Sequence, residues 1–572
     1  MKKLKFVVAS MLVMNNYLFS NVIDKKVEQN NTIFSKNKMS EAIKNTLATK
    51  YTPLLIDKKV LTDYYAENSF KPYWVDKNGI KNIAIQLFEK IKTDPVLKPN
   101  VKELFKFDEV LTMLNSLNQT TETDETNLLK IEFMITELYD KYSYFLLNGT
   151  IDWKGFQDKL KEVNAAEDMN AQWDRYDVVN NPKKLLKKAI DANDLGLALK
   201  ELDPVYNDIP TYVEAINELE KIKKSGDFVK VPAIKGLKVG DNNPEVVPLL
   251  RKRLMQSNDL TKNCDVKKNS SCEQIFDEDL SAAVASFQKT HGLFPDGVIG
   301  LATIRFLNLT AREKISQIRV NIERMRWLPR NFGSEYILIN IPDYRLKMVE
   351  NNEQKLNMPV VVGEKKHPTP IFSEKMSYIV LNPAWNIPTS ITKKELLPKI
   401  LKDKNYLASK GINTYQSSPN TGVNKMSPNE VLDALILEDE NTLNSLRFSQ
   451  NPGDENPLGK IKFMLPNKHA VYLHDTPAKN LFNNVRRAYS HGCIRLSKPQ
   501  ELLETIAKND KGIDLTKVTQ ILNEGSEKEK SVGLSRKIPV HIIYLTSWID
   551  DGKVQYREDI YNYDSIQRKL MF

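Results

Sequence analysis

Hydrophobic residues recur every three or four positions through residues 46–230, a spacing that places them along one face of an α-helix. Charged and amide residues fill the intervening positions. The pattern predicts a helical scaffold domain over 46–230 whose apolar stripes pack against one another. Its clearest runs are Leu128-Leu129-Ile131-Met134-Ile135-Leu138-Tyr139 and Ile216-Leu219-Ile222.

Residues 236–308 combine shorter helical stripes with glycine turns. Val246, Leu250 and Leu254 mark one helix face, and Leu280, Val284 and Phe287 mark a second. Gly297 and other glycines precede a last apolar run over 301–307. The segment therefore predicts a small three-helix domain, and a basic, aromatic helix over 309–333 connects it to the C-terminal domain.

Residues 334–548 change to short β-branched runs separated by Pro, Gly and Asn, which predicts a mostly β domain. A polar stretch over about 391–447 interrupts this rhythm and is interpreted as an inserted helical lid. Residues 549–572 are assigned to a C-terminal tail. The fold class is thus multidomain α+β, in which a helical scaffold and a three-helix domain precede a β domain.

The chain starts with three lysines among its first five residues, followed by nine apolar or small residues over 6–14. Such a run is too short to cross a hydrocarbon core of roughly 30 Å, which needs about 20 residues. Residues 1–20 are therefore predicted to be a signal peptide, with a linker over 21–45. An uncleaved signal would instead tether the protein to the inner membrane.

The formal net charge is +10. On an exported protein this charge suits a carboxylate-bearing polymer or an anionic membrane surface, although solubility alone would also explain it. Nucleic acid is not expected as a partner, because no stripe of basic and aromatic residues is concentrated in one segment.

Three cysteines and six histidines are distributed unevenly along the chain. Cys264 and Cys272 lie in one polar loop and can form a disulfide in an oxidising compartment, or remain as two loop thiols. The third cysteine, Cys493, would then be the free thiol.

Ser490-His491-Gly492-Cys493-Ile494-Arg495, with His474-Asp475 upstream, is the segment most suggestive of chemistry. A neighbouring imidazole can activate a thiol for attack on a carbonyl. Gly492 allows close backbone approach, so amides of this loop are candidate oxyanion donors. Arg495, two residues beyond the thiol, is a candidate clamp for a substrate carboxylate.

Other interpretations of the cluster are weaker. A zinc site at His474, His491 and Cys493 lacks a fourth ligand. A papain-like protease has its cysteine before its histidine, the reverse of the order here. A buried core thiol with satisfied histidines remains an alternative.

Two families resemble parts of this chain. Residues 283–293 (AVASFQKTHGL) and Asp296-Gly297-Val298-Ile299-Gly300 resemble the peptidoglycan-binding domain 1 family. The His474 to Cys493 order resembles the L,D-transpeptidase (YkuD) catalytic domain, whose motif is a His followed by Ser/Thr-His-Gly-Cys. Further segments resemble its large YcbB-type branch: Asn321-Ile322-Glu323-Arg324-Met325-Arg326-Trp327, Asn382-Pro383-Ala384-Trp385-Asn386-Ile387-Pro388 and Tyr472-Leu473-His474-Asp475-Thr476-Pro477.

The resemblance implies roles for particular residues. Cys493 would be the nucleophile and His474 its base, with the backbone carbonyl of Asp475 orienting the imidazole. Four further residues would shape the site or bind substrate: Ser490, His491, Gly492 and Arg495. No metal or organic cofactor is implied.

The resemblance also implies a periplasmic enzyme of cell-wall biogenesis that forms 3→3 cross-links through a thioester and is sensitive to carbapenems. Peptidoglycan stem peptides and glycan are the expected partners, together with other cell-wall enzymes and the inner membrane surface. The same acyl-enzyme also serves an L,D-carboxypeptidase, D-amino-acid exchange or lipoprotein attachment. A wall-binding scaffold without catalysis is the alternative from another class.

Overall fold

The computed structural model describes residues 36–49, 57–76, 79–97, 106–117, 125–176, 180–234, 236–262, 264, 272–418, 422–437, 444–524 and 529–571. The expected signal peptide lies outside these residues. Within them, no helix is both long and apolar enough to cross a membrane.

The N-terminal third is helical, as predicted. Most of its helices share one core with the connecting helix, and Trp74, Tyr139 and Tyr212 are among the largest fully buried side chains of that core. Helix Trp153–Glu167 instead buries Phe156 and Leu160 in the core of the β domain. The predicted linker is wrong from Lys36 onward: this part is helical, because Met39, Ile43 and Leu47 repeat every four positions and are buried. The helices are Lys36–Ala48, Lys58–Glu67, Asn82–Thr93, Phe107–Leu117, Glu125–Asn148, Trp153–Glu167, Pro182–Ala192, Gly196–Leu202 and Ile209–Lys224.

Three helices form the small domain predicted over 236–308, namely Val247–Gln256, Glu278–Thr290 and Leu301–Leu307. They enclose a separate apolar core that includes Leu250, Val284 and Phe287. The structure joins Cys264 to Cys272 by a disulfide.

The connecting helix, Ala311–Met325, begins at a Thr310 capping box and is buried on most sides. The guanidinium of Arg324 forms a buried ion pair with Asp564, at 2.7 Å, and donates to Gln567. Just beyond the helix, buried Arg326 lies 3.3 Å from Asp94 and 3.8 Å from Asp203. These contacts join the scaffold, the connecting helix and the C-terminal residues.

The β domain is built on a nine-stranded mixed sheet, ordered β13-β5-β14-β12-β11-β6-β15-β3-β4. Strand β4 also pairs with β5, so eight of these strands form a closed ring of pairings. The strands of the chain are β1 (Val75–Asp76), β2 (Gly79–Ile80), β3 (Glu335–Asn340), β4 (Arg345–Glu350), β5 (Glu353–Gly363), β6 (Phe372–Leu381), β7 (Trp385–Ile387), β8 (Ile412–Ser418), β9 (Gly422–Met426), β10 (Leu446–Gln450), β11 (Ile461–Met464), β12 (Leu473–His474), β13 (Ala488–Ser490), β14 (Ile494–Leu496), β15 (Lys530–Ile543), β16 (Ser547–Asp550) and β17 (Lys553–Tyr556). Helices Pro499–Ala507 and Leu515–Glu524 follow β14.

The segment predicted to be a helical lid is an α/β unit, here called the insertion (residues 385–450). Strands β7, β10, β8 and β9 form a four-stranded antiparallel sheet beside its helices. Phe448, Ile400 and Val431 lie in its own small core. The prediction missed this sheet because its strands are short and mostly polar. The helical segments are Thr389–Ile391, the π-helix Thr392–Leu396, Leu397–Lys402, Tyr406–Ser409 and Pro428–Ile436.

The predicted C-terminal tail is an ordered part of the fold. The hairpin of β16 and β17 leads to helix Tyr563–Met571. Tyr563 and Ile566 are buried in the core of the β domain, while Asp564 neutralises Arg324. The tail prediction failed because the burial of Asp564 depends on a cation 240 residues away in the sequence.

Candidate active site

The candidate catalytic residues meet on three adjacent strands. β12 and β14 are parallel, with Leu473 opposite Ile494 and His474 opposite Arg495. β11 is antiparallel to β12, with Lys462 opposite His474. Because side chains alternate along a strand, buried Leu473 and Ile494 face the core while their neighbours face the other side of the sheet. His474, Cys493 and Arg495 therefore share one face.

The loop before the thiol is held by its own polar groups. Ser490 Oγ donates to the Cys493 carbonyl at 2.5 Å and accepts from the Gly492 amide at 3.2 Å. Gly492 has φ 111°, a conformation that favours glycine. Thr369 Oγ1 donates to the Gly492 carbonyl at 2.8 Å. The Gly492 amide, one of the loop amides expected to be oxyanion donors, is thus paired with Ser490 in this structure.

His474 is buried and held in one tautomer. Its Nδ1 lies 2.5 Å from the carbonyl oxygen of Asp475, which can only accept, so Nδ1 carries the proton and Nε2 has a free lone pair. Burial, reinforced by the Arg495 charge, lowers the pKa of His474 to about 3. The imidazole is therefore a neutral proton acceptor at neutral pH.

The Asp475 side chain fixes the residue whose carbonyl orients His474. Its carboxylate accepts from the amide of Thr476 at 2.7 Å and from the amide of Lys460 at 2.9 Å. The ammonium of Lys479 lies 2.5 Å away. Gly459 leaves room for this carboxylate, because a Cβ there would lie 2.4 Å from Asp475 Oδ2.

Cys493 is the free cysteine of the described residues and is partly buried. Burial raises the pKa of its thiol, against hydrogen bonds from the backbone and phenol of Tyr472 and the charges of Lys462 and Arg495. The resting pair is thus a neutral thiol and a neutral imidazole. A thiolate–imidazolium pair is therefore not the resting state of these two residues.

Tyr472 and Lys462 belong to this site and were missed in the sequence. Lys462 Nζ lies 3.9 Å from the centre of the Tyr472 ring, which is edge-on to His474 at 5.6 Å. Burial lowers the pKa of Lys462. Lys462 alternates with apolar core residues of β11, and Tyr472 directly precedes Leu473 of β12. Tyr472 also lies in one of the segments that resemble the family, which was a second available signal.

Arg495 is a cation without a carboxylate partner among the described residues. Burial lowers its pKa, and its Nε has no hydrogen-bond partner. An uncompensated buried guanidinium is costly unless an anion reaches it. The face therefore combines a thiol, an imidazole and a guanidinium.

His491 points to other partners. Its Nε2 lies 2.9 Å from Glu395 of the insertion, and its ring stacks on His367 at 4.9 Å. Glu364, His367 and His491 together form a group of residues that could hold a metal ion.

Three family models match successive parts of the chain. The "Scaffold domain" matches residues 59–212, the "Putative peptidoglycan binding domain" matches 245–307, and the L,D-transpeptidase catalytic domain, YkuD, matches 334–519. The protein thus carries an L,D-transpeptidase catalytic domain together with a peptidoglycan-binding domain, as the sequence resemblance predicted.

Among individual proteins, the chain is similar to a "Putative L,D-transpeptidase" of Haemophilus influenzae, 33% identical over 262 residues. The match covers 45% of this chain and spans only half the length of that relative. A solved L,D-transpeptidase from Stackebrandtia nassauensis is 11% identical, with 56% of this chain and 100% of that chain covered and a TM-score of 0.19. L,D-transpeptidase 3 from Mycobacterium tuberculosis is 10% identical, with 37% and 61% covered and a TM-score of 0.18. At such TM-scores the assignment rests on the sequence matches.

Proposed function

We propose that this protein is a peptidoglycan L,D-transpeptidase that forms 3→3 cross-links through a thioester on Cys493. The observation that carries the proposal is the shared sheet face on which a free thiol, a neutral imidazole and an unpaired arginine meet. The matches to an L,D-transpeptidase catalytic domain and a peptidoglycan-binding domain supply the substrate class.

In the acylation step, Nε2 of His474 accepts the proton of the Cys493 thiol as sulfur attacks the carbonyl of the L-centre at stem position three. The tetrahedral intermediate then collapses, and the bond to the terminal D-Ala breaks. The imidazolium returns the proton to the leaving amine. The Asp475 carbonyl keeps the ring oriented throughout.

Arg495 is suited to bind the carboxylate of the terminal D-Ala, and Lys462 adds positive charge on the same face. A bound carboxylate would offset the cationic field that disfavours a protonated His474. Substrate binding would thereby make the imidazole a stronger base when the thiol needs to lose its proton.

The deacylation step reverses the proton transfers with a second substrate. The side-chain amine of a neighbouring stem attacks the thioester, loses a proton to His474, and releases Cys493 as the thiol. The new amide bond is the 3→3 cross-link. Glu395 brings the insertion against the loop that carries the thiol, which supports an acceptor path bordered by the insertion.

We further propose a periplasmic location. The basic and apolar start of the chain supports export, and the Cys264–Cys272 disulfide suits an oxidising compartment. A carbapenem would acylate Cys493, since the same thiol attacks a strained amide carbonyl.

The test is incubation of the purified protein with disaccharide-tetrapeptide, followed by mass spectrometry of the products. The parent protein should yield 3→3 dimers and a transient Cys493 acyl adduct, and Cys493→Ala should yield neither. The Cys264→Ala/Cys272→Ala double variant is the matched control, and it should retain both signals.

Formation of 3→3 dimers by Cys493→Ala would contradict the proposal. Tripeptide as the only product of the parent would mean that water resolves the acyl-enzyme. Absence of both an acyl adduct and a carbapenem adduct would favour a non-catalytic wall-binding protein.

A further inference from the structure

A second cluster of reactive side chains lies beside the catalytic face. Glu364, His367 and His491 each present a ligand atom, and these atoms lie within 4.8 Å of one another. We propose that they form a regulatory binding site for a divalent transition metal of the zinc class, with Glu395 of the insertion as fourth ligand. Metal binding at this site does not depend on the proposed catalysis.

Backbone hydrogen bonds hold the three proposed ligands close together. The His367 amide donates to the Glu364 carbonyl at 3.1 Å, closing the turn after β5, and the Glu364 amide donates to the Ser490 carbonyl at 2.8 Å. The turn that carries two ligands is therefore bonded to the residue next to the third ligand. A Cβ on Gly363 would lie 2.1 Å from the His367 carbonyl oxygen, so glycine is needed for this approach.

The donor set suits zinc better than a hard cation. Two imidazoles and one carboxylate bind zinc at about 2 Å in many sites, which leaves neighbouring ligand atoms about 3.3 Å apart in a tetrahedron. Because the rings of His367 and His491 stack at 4.9 Å, both imidazoles must turn about their side-chain torsions to aim a nitrogen at one ion and close the present separations of up to 4.8 Å. Magnesium and calcium prefer all-oxygen ligands and would bind poorly here.

Glu395 provides the link to the insertion. It lies on the π-helix Thr392–Leu396, and its Oε1 is 2.9 Å from Nε2 of His491. Its carboxylate therefore already lies beside a proposed ligand. Two glutamates would balance the charge of a divalent ion.

The neighbouring lysines leave the site accessible to a cation. Lys365 pairs with Glu167 at 2.6 Å, and Lys366 pairs with Asp168 at 3.5 Å. Both ammonium groups thereby turn towards the end of helix Trp153–Glu167. The charge of Lys394 does act on His367 and opposes metal binding, which the two carboxylates offset.

A metal in this site would hold the insertion on the loop that ends in the nucleophile, because Glu395 and His491 belong to these two parts. Metal occupancy would thus control how readily the insertion moves away from the catalytic face. The site would act as a metal-dependent link between the insertion and the loop that carries Cys493.

The test measures zinc binding by calorimetry on the full chain carrying Cys493→Ala, which removes the thiol as a competing ligand. We expect one zinc per chain and no binding of magnesium. Adding Glu364→Gln, His367→Gln or His491→Gln should lower the affinity about tenfold or more. Glu501→Gln, an exposed glutamate paired with Lys498 on a helix after β14, is the matched control and should bind as the parent does.

A second readout monitors the insertion. Zinc should protect the insertion of the Cys493→Ala protein from limited proteolysis, and Glu395→Gln should abolish this protection while retaining weakened binding. The melting temperature of each variant is also measured without metal. Only variants that melt at the same temperature as the parent are compared, so that a lost ligand is distinguished from a loss of folding. No binding by the parent, or unchanged affinity in all three ligand variants, overturns the proposal and leaves the proposed transpeptidation untouched.

Discussion

At the scale of single residues, the protonation states of the site depend on the free energy of placing a charge in partly buried surroundings that already hold two cations. His474 is surrounded by Arg495 and Lys462, with only the Asp475 side chain and carbonyl to favour a protonated ring. Cys493 faces the same two cations and Tyr472. Burial therefore keeps both members of the pair neutral over a wide pH range.

The first prediction concerns the pH profile of kcat/KM. With the His474 pKa lowered to about 3 from an ordinary 6.5, imidazole protonation should not reduce activity between pH 5 and 8. Because the Cys493 pKa is raised from 9.0, no basic limb should appear below pH 9. Steady-state assays across this range check the profile, and a titration near pH 6.5 that depends on His474 would contradict it.

The second prediction concerns Arg495→Gln. Loss of a charge-assisted hydrogen bond to the substrate carboxylate should lower kcat/KM about tenfold to a hundredfold, mainly through KM. The same change removes a cation beside His474, so the acid limb should move towards neutral pH. Arg495→Lys should keep the acid limb low. An unchanged KM and pH profile in Arg495→Gln would contradict the assigned role.

At the scale of elements, the site depends on one turn and one loop meeting at close range. Gly363 ends β5, its amide donates to Thr369, and its carbonyl accepts from Tyr561 at 2.6 Å. Thr369 in turn donates to Gly492. The loop that carries Cys493 is thus positioned by a chain of contacts that starts at a glycine.

The third prediction tests that chain with Gly363→Ala. The added Cβ would lie 2.1 Å from the His367 carbonyl and 2.6 Å from the Thr369 amide. Such overpacking should destabilise the protein by about 1–3 kcal/mol and reduce kcat with it. Gly533→Ala in β15 is the control, because a Cβ there meets nothing within 4 Å. Urea unfolding checks both, and equal stability of the two variants would contradict the prediction.

The elements differ in how far the sequence could predict them. The three-helix domain and the helical scaffold were predictable, since their apolar stripes are local and regular. The meeting of Cys493 with His474 was predicted only through a known motif, because their strands pair in parallel across a long connection. The pairings of β10 with β7 and with β8 in the insertion join strands that are not consecutive in the sequence, and no local pattern specifies them.

At the scale of the whole molecule, buried arginines around the connecting helix hold its parts together. Arg326 is fully buried between Asp94 and Asp203, and its guanidinium lies over the Phe145 ring at 4.0 Å. The acidic partners come from the scaffold. Removing the cation would leave these buried carboxylates without their paired charge, although Asp94 would keep the hydrogen bond from the Tyr142 phenol and Asp203 that from the Val205 amide.

The fourth prediction concerns Arg326→Met, which keeps most of the volume and removes the charge. We expect a loss of about 3–5 kcal/mol in the free energy of unfolding. Arg305→Met breaks an exposed pair with Glu558 and should cost at most about 1 kcal/mol. Urea titrations of both variants give the comparison, and similar losses would mean that Arg326 contributes no more than a surface pair.

The ion pair between Arg324 and Asp564 determines the order in which parts of the chain can reach their final structure during synthesis. Gln567, which also binds Arg324, comes 243 positions later in the chain. A ribosome releases the N-terminal residues first, so the scaffold and the connecting helix are made long before the anion that neutralises Arg324. Until then the guanidinium lacks these partners, and the connecting helix can complete its contacts with Asp564 and Gln567 only after helix Tyr563–Met571 has been synthesised.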